Sequence, residues 1–217
     1  MKRFIFPLAA LALAATIGER TRETVIRNTL GILQWQRRDY AAALGHYEVA
    51  LRLVRDHGNR QQEATILNGL GACLAKLGRP DEARTILEES LALSREIGER
   101  ELEADAAAAL GHVSRSVHHL DGAARYFEQS RVVRHAIGDR TGEGWMHLRL
   151  AEVRHDTGDT VGALAAVASA AAAAAETGDD TLSTACHEAA RRSDRQRSGE
   201  VKDAPLHHRA VRCGSHT

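Results

Sequence analysis

The sequence predicts an all-α fold, a solenoid of stacked helical hairpins, and three observations predict it. Alanine, leucine, arginine and glutamate dominate the 217 residues, aromatics make up 4%, and there are three prolines. That composition favours helix and disfavours sheets with β-branched faces. Gly18, Gly58, Gly98, Gly138 and Gly178 stand 40 residues apart, each opening a short polar turn: GER, GNR, GER, GDR and GDD. A stripe of alternating large and small residues recurs in the same register. A chain of this length can form such a stack without one central core, because each unit is covered by its neighbours.

The units follow in order. Residues 1–20 read as the last part of a repeat helix. Shifted by 80 residues, Ala10–Leu13 and Ile17–Arg20 fall on Ser90–Leu93 and Ile97–Arg100. A secretory signal peptide stays open, since MKRFIFPLAALALAA has a charged start, an apolar run and A-x-A sites. Repeats then span residues 21–58, 59–98, 99–138 and 139–178. Within each, helix A carries Leu30-Gly31, Leu70-Gly71, Leu110-Gly111 or Leu150-Ala151. A short turn follows, and helix B carries Ala43, Ala83, Ala123 or Ala163. Four residues later comes a bulky residue (Tyr47, Leu87, Phe127, Val167), and three beyond that a small one (Ala50, Ser90, Ser130, Ala170). Small residues let the helices of a hairpin approach, and the bulky one fills the remaining groove. Gly58, Gly98 and Gly138 are expected to end helix B in the left-handed conformation. Residues 179–192 read as a capping helix. Residues 193–217 lack apolar periodicity and read as a disordered tail.

The Leu-Gly pair, the Ala twelve residues after the Gly, and the bulky and small residues beyond it resemble the tetratricopeptide repeat family, in a 40-residue variety. The resemblance covers roughly residues 8 to 190 and implies a right-handed α–α superhelix. In this family the A helices line the concave groove, and the resemblance implies a binding role for the residues at groove-facing positions. In the first two units these include Asn28, Ile32 and Trp35, then Thr65, Asn68 and Lys76. In the last two they include His112 and Arg115, then Trp145 and Glu152. Asn28 and Asn68 occupy equivalent places, and in related repeats such asparagines hydrogen-bond the backbone of a bound peptide. A bond to a neighbouring helix is the other reading of these asparagines, and packing the other reading of the tryptophans, whose large amphipathic rings suit a ligand anchor equally well.

Other chemistries find little support. The 29 basic and 29 acidic residues cancel, so no global positive field favours nucleic acid. The three cysteines, Cys73, Cys186 and Cys213, have no metal-ligand spacing, and Cys73 reads as a small buried residue. Twelve histidines include no HExxH, and no Ser or Cys sits in a nucleophile motif. Gly69-Leu70-Gly71 lacks the rest of a phosphate loop. No catalytic residue, metal or cofactor is expected, nor a membrane span. The expected function is a non-catalytic interaction module for a protein or peptide segment, regulatory and cytoplasmic. The resemblance extends to C-terminal repeat regions of bacterial signalling and transcriptional regulators, so a remnant of such a regulator and an exported scaffold are the alternatives. An apolar stripe at Leu8, Leu11 and Ile17 predicts self-association through the first helix.

Overall fold

The computed structural model describes residues 5–197, and the side chains of residues 18–195 apart from His57. Among the described residues there are nine helices and no strand. They are α1 (Ile5–Gln36), α2 (Tyr40–His57), α3 (Arg60–Lys76), α4 (Pro80–Ile97), α5 (Arg100–Ser116), α6 (Leu120–Ala136), α7 (Arg140–Asp156), α8 (Thr160–Thr177) and α9 (Asp180–Arg197). Odd-numbered helices are the A helices and even-numbered ones the B helices. Each helix packs on the next in sequence, and α3 on α5 and α7 on α9. The result is a right-handed superhelix of hairpins.

Helix starts follow capping chemistry. Asp39, Asn59, Asp139, Asp159 and Asp179 each accept a hydrogen bond from the backbone N–H three residues on, at 2.7 to 3.0 Å. At α4, Pro80 occupies the first turn instead. Helix ends follow backbone geometry: Gly58, Gly98 and Gly178 close α2, α4 and α8 with φ of 74°, 75° and 69°. Gly138 has φ of 75° one residue beyond the cap of α6. The turns within hairpins need the same conformation, at Arg38 (φ 63°), Gly78 (74°), His118 (58°) and Gly158 (81°). Two of these four positions lack the glycine that the geometry favours.

The large-and-small stripe is the core. A Cβ added at Gly31 would lie 2.8 Å from the Tyr47 ring, one at Gly71 2.5 Å from Leu87, and one at Gly111 2.6 Å from Phe127. In the fourth unit the glycine becomes Ala151, and its bulky counterpart shrinks to Val167 in the same cluster. Ser90 and Ser130 are buried, and each hydroxyl donates across its hairpin, to the Ala64 and Ala104 carbonyls at 3.0 and 2.8 Å. These bonds satisfy hydroxyls that would otherwise be costly inside.

A second periodic device joins consecutive hairpins. Glu63, Glu103 and Glu143 are buried at the start of α3, α5 and α7. Each is held by the Arg at the first position of its own helix, Arg60, Arg100 or Arg140, and by a residue of the preceding B helix. That residue is Arg55 at 2.8 Å, Arg95 at 3.0 Å and, in the third junction, His135 at 3.1 Å together with Arg131. A buried carboxylate is tolerable because several donors surround it.

Two expectations about the ends are corrected. Gly18 does not open a turn: α1 runs unbroken from Ile5 to Gln36. After Gly58 and Gly98 the following helix folds back and packs on the preceding one, α3 on α2 and α5 on α4, whereas after Gly18 the same helix continues. With no packing to offset helix propagation, one glycine costs only about 1 kcal/mol and does not stop an alanine- and leucine-rich helix. The capping helix also does not end at 192. α9 continues to Arg197, so residues 193–197 are helix rather than tail, and Ser193 is buried. The remainder of the tail, with Cys213, lies outside the described residues, as do the side chains of Leu8, Leu11 and Ile17.

Candidate interaction groove

The groove is built from one face of the A helices, and its two halves differ. In the first half, α1 and α3 border a hollow of about 160 Å³ lined by Thr24, Val25, Asn28, Gln62, Thr65 and Ile66. Val25, Ile32 and Thr65 are exposed, and Asn28 is half-buried. Asn68 donates from Nδ2 to the Leu102 carbonyl of α5 at 3.4 Å, a long bond to the neighbouring helix. Its Oδ1 is buried and accepts no hydrogen bond among the described residues, and the same holds for Gln62 Oε1. Trp35 is half-buried, packs on the core, and meets the Tyr40 ring edge-on at 4.9 Å. Lys76, at the end of α3, is exposed.

The second half is closed on itself. Arg115 donates to Glu152 at 2.6 Å and to Asp156 at 2.7 Å, and Arg149 donates to Glu152 at 2.5 Å. The Arg149 guanidinium lies 5.6 Å from the Trp145 ring centroid. Trp145 packs against two core clusters, one with Leu148 and Ala151 and one with Phe127 and Met146. His112 meets the Phe127 ring edge-on at 5.0 Å. His112 is exposed, at an open cleft of about 540 Å³ that it lines with Arg115, Ser116, His118, Leu120 and Asp156. Desolvation by the surrounding protein, then the charges of Arg149, Lys76 and Arg115, push the His112 pKa down to about 4. Asp105, also on this face, pairs with Arg134 at 2.5 Å.

At the positions expected to face the groove, Asn68 forms an intramolecular bond, and Trp35 and Trp145 both pack while half-buried. Gln62 and Arg149 were missed as contributors. Arg149 had a legible signal, since it stands four residues after Trp145 and so shares its helix face; Gln62 had none. Among the described residues no group of three or more His, Cys, Asp or Glu lies close enough to hold a metal ion. By length and composition α8 is apolar enough to cross a membrane, but here it carries the small-and-bulky stripe and packs between α7 and α9.

Comparison with known proteins agrees with this architecture. Residues 62–131 match the tetratricopeptide repeat family, and no catalytic family is indicated. No curated protein matches the sequence at a significant level. Among solved structures, aspartyl phosphate phosphatase F from Bacillus subtilis superposes with a TM-score of 0.72 at 10% identity, over 83% of this chain and 51% of that one. A Rap protein complexed with competence and sporulation factor gives 0.68 at 15% identity, over 84% and 56%. A signal transduction ATPase with numerous domains and a tetratricopeptide repeat sensor, from Pyrococcus horikoshii, gives 0.66 at 16%, over 78% and 26%. The chain thus spans about half the length of the first two and a quarter of the third. Residues 62–131 thus carry tetratricopeptide repeats, and the hairpin stack and its Gly-to-bulky packing continue on both sides of them.

Proposed function

We propose that the protein is a non-catalytic, regulatory interaction module that holds a protein or peptide segment in the first half of its groove, between α1 and α3. The supporting observation is the hollow between α1 and α3, lined by Val25, Asn28, Gln62 and Thr65 among others, with Val25 and Ile32 exposed on α1. A bound segment would set its backbone against the polar lining and its apolar side chains over Val25 and Ile32. Asn28 and Thr65 offer further polar contacts on the same wall. The second half, with Arg115 and Glu152 already paired to each other, serves as support and contributes His112 and Trp145 only at its edge. The comparison structures agree in kind: the Rap protein is held with a factor, and the Pyrococcus ATPase uses its repeats as a sensor. Nucleic acid is a poor candidate ligand because the groove half in question carries one cation, Lys76, and no basic stripe.

Affinity capture from the native host tests this reading, comparing wild type with Trp35→Ala, Asn68→Ala in a form that keeps its helical circular dichroism. Partners lost only from the variant support the groove; identical capture by both, or none by either, overturns it. We place the protein in the cytoplasm. A mature N-terminus at Met1 or Lys2 would agree, whereas one near Ala15 would mean export.

A further inference from the structure

The repeat register exposes an anomaly on α1. Ile26 and Leu33 are 57% and 48% exposed. Their equivalents one, two and three units on are Ile66 and Cys73, Ala106 and Val113, Met146 and Val153, and all six are 6% exposed or less. In those units the B helix of the preceding hairpin packs on this face. On α1 no described helix does so, because Ile5–Ala15 continues straight instead of folding back about Gly18.

We propose that a second copy of the chain covers this face, the two α1 helices pairing as an antiparallel coiled coil. Counted in alternating steps of four and three, the sequence of α1 places Leu8, Ala12, Ala15, Glu19, Arg22, Ile26, Thr29 and Leu33 on one heptad seam. The seam positions from Glu19 onward are all exposed. The seam is symmetric about a point between Arg20 and Thr21. Reversing a second copy about that point sets Leu8 opposite Leu33, Ala12 opposite Thr29, Ala15 opposite Ile26, and Glu19 opposite Arg22, twice over by symmetry. Apolar pairing and charge pairing therefore agree on one register, and that agreement selects a second copy over an unrelated helix. Val25 and Ile32 stand one residue before Ile26 and Leu33 and flank the seam rather than occupy it.

Sedimentation of the full chain tests the proposal. Wild type is expected to be dimeric at micromolar concentrations, and Ile26→Glu, Leu33→Glu to be monomeric with unchanged helicity. Glu19→Arg opposes like charges and is expected to weaken the dimer about tenfold or more, while Glu19→Arg, Arg22→Glu restores it. A monomeric wild type overturns the proposal, as does a dimer indifferent to both sets of changes. Oxidation of a Leu8→Cys, Leu33→Cys variant distinguishes the remaining arrangement. In a straight α1 the two positions are roughly 37 Å apart and cannot join within one chain. A disulfide-linked dimer supports the antiparallel pair. A monomer with an internal disulfide shows fold-back about Gly18 and overturns it, and absence of any cross-link also counts against it.

Discussion

The two halves of the groove are built from equivalent positions of one repeat, yet they differ in what their side chains still need. On α1 and α3 the wall is uncharged up to Lys76, with Val25 and Ile32 exposed. On α5 and α7 the equivalent positions hold charges, and the charges are engaged: Arg115 with Glu152 and Asp156, Arg149 with Glu152 and Trp145. A groove position is therefore not a binding residue by virtue of its register. It becomes available for a ligand when its hydrogen-bonding and packing capacity is left over after folding.

The comparison can be broken most readily at the tryptophans. Trp145 bridges two core clusters, so Trp145→Ala is expected to cost about 2–3 kcal/mol in urea denaturation, and Trp35→Ala about half as much. Equal losses would erase the distinction between a supporting and an available ring. Next, Arg115→Ala leaves two carboxylates without their shared donor and is expected to cost about 1–2 kcal/mol, less than a fully buried pair because solvent still reaches the site. Asn28→Ala and Thr65→Ala are expected to stay within about 0.5 kcal/mol by the same measurement. Should Asn28→Ala cost as much as Arg115→Ala, the first half is structural after all.

Smaller effects sharpen the picture. Each half of the molecule has one hairpin turn at a left-handed residue that is not glycine, Arg38 in the first and His118 in the second. Arg38→Gly and His118→Gly should each raise stability by about 0.5 kcal/mol, the relief of a left-handed side chain less the flexibility glycine gains when unfolded. Thermal melts of the single and double variants would check that the gains are equal and additive. The last effect is one of pH. The folded pKa of His112 lies near 4, below its ordinary value of 6.5, so folding favours the neutral ring. Its contribution is complete above pH 6.5 and is lost as pH falls towards 4, where the unfolded chain binds the extra proton. His112→Gln should flatten the decline of the melting temperature across that window, and histidine NMR titration should show the ring titrating near 4.

Much of the fold was legible in the sequence because its determinants are local and periodic. Gly31 and Tyr47, Gly71 and Leu87, Gly111 and Phe127 are matched by size, and their spacing within one hairpin is enough to predict the contact. The burial of Cys73 was expected too, from its reading as a small buried residue. The Ser90 and Ser130 bonds were not, since a small residue in a stripe looks the same whether or not its hydroxyl finds a carbonyl across the hairpin. The left-handed conformations of Arg38 and His118 were hidden for a related reason: the hairpin imposes them against residue preference.

The sequence by itself determined the period, the hairpins and the glycines that close α2 and α4, because helix propensity, turn chemistry and large-and-small matching act over a few residues or within one unit. Tertiary structure alone decided which groove residues are spent on ion pairs and where a glycine ends a helix. Gly18 and Gly58 carry the same letter in the same register, but only at Gly58 does the chain fold back onto a packed neighbour. A single glycine weakens a helix by about 1 kcal/mol, and burial of the next helix supplies several times that, so packing rather than the residue sets the turn.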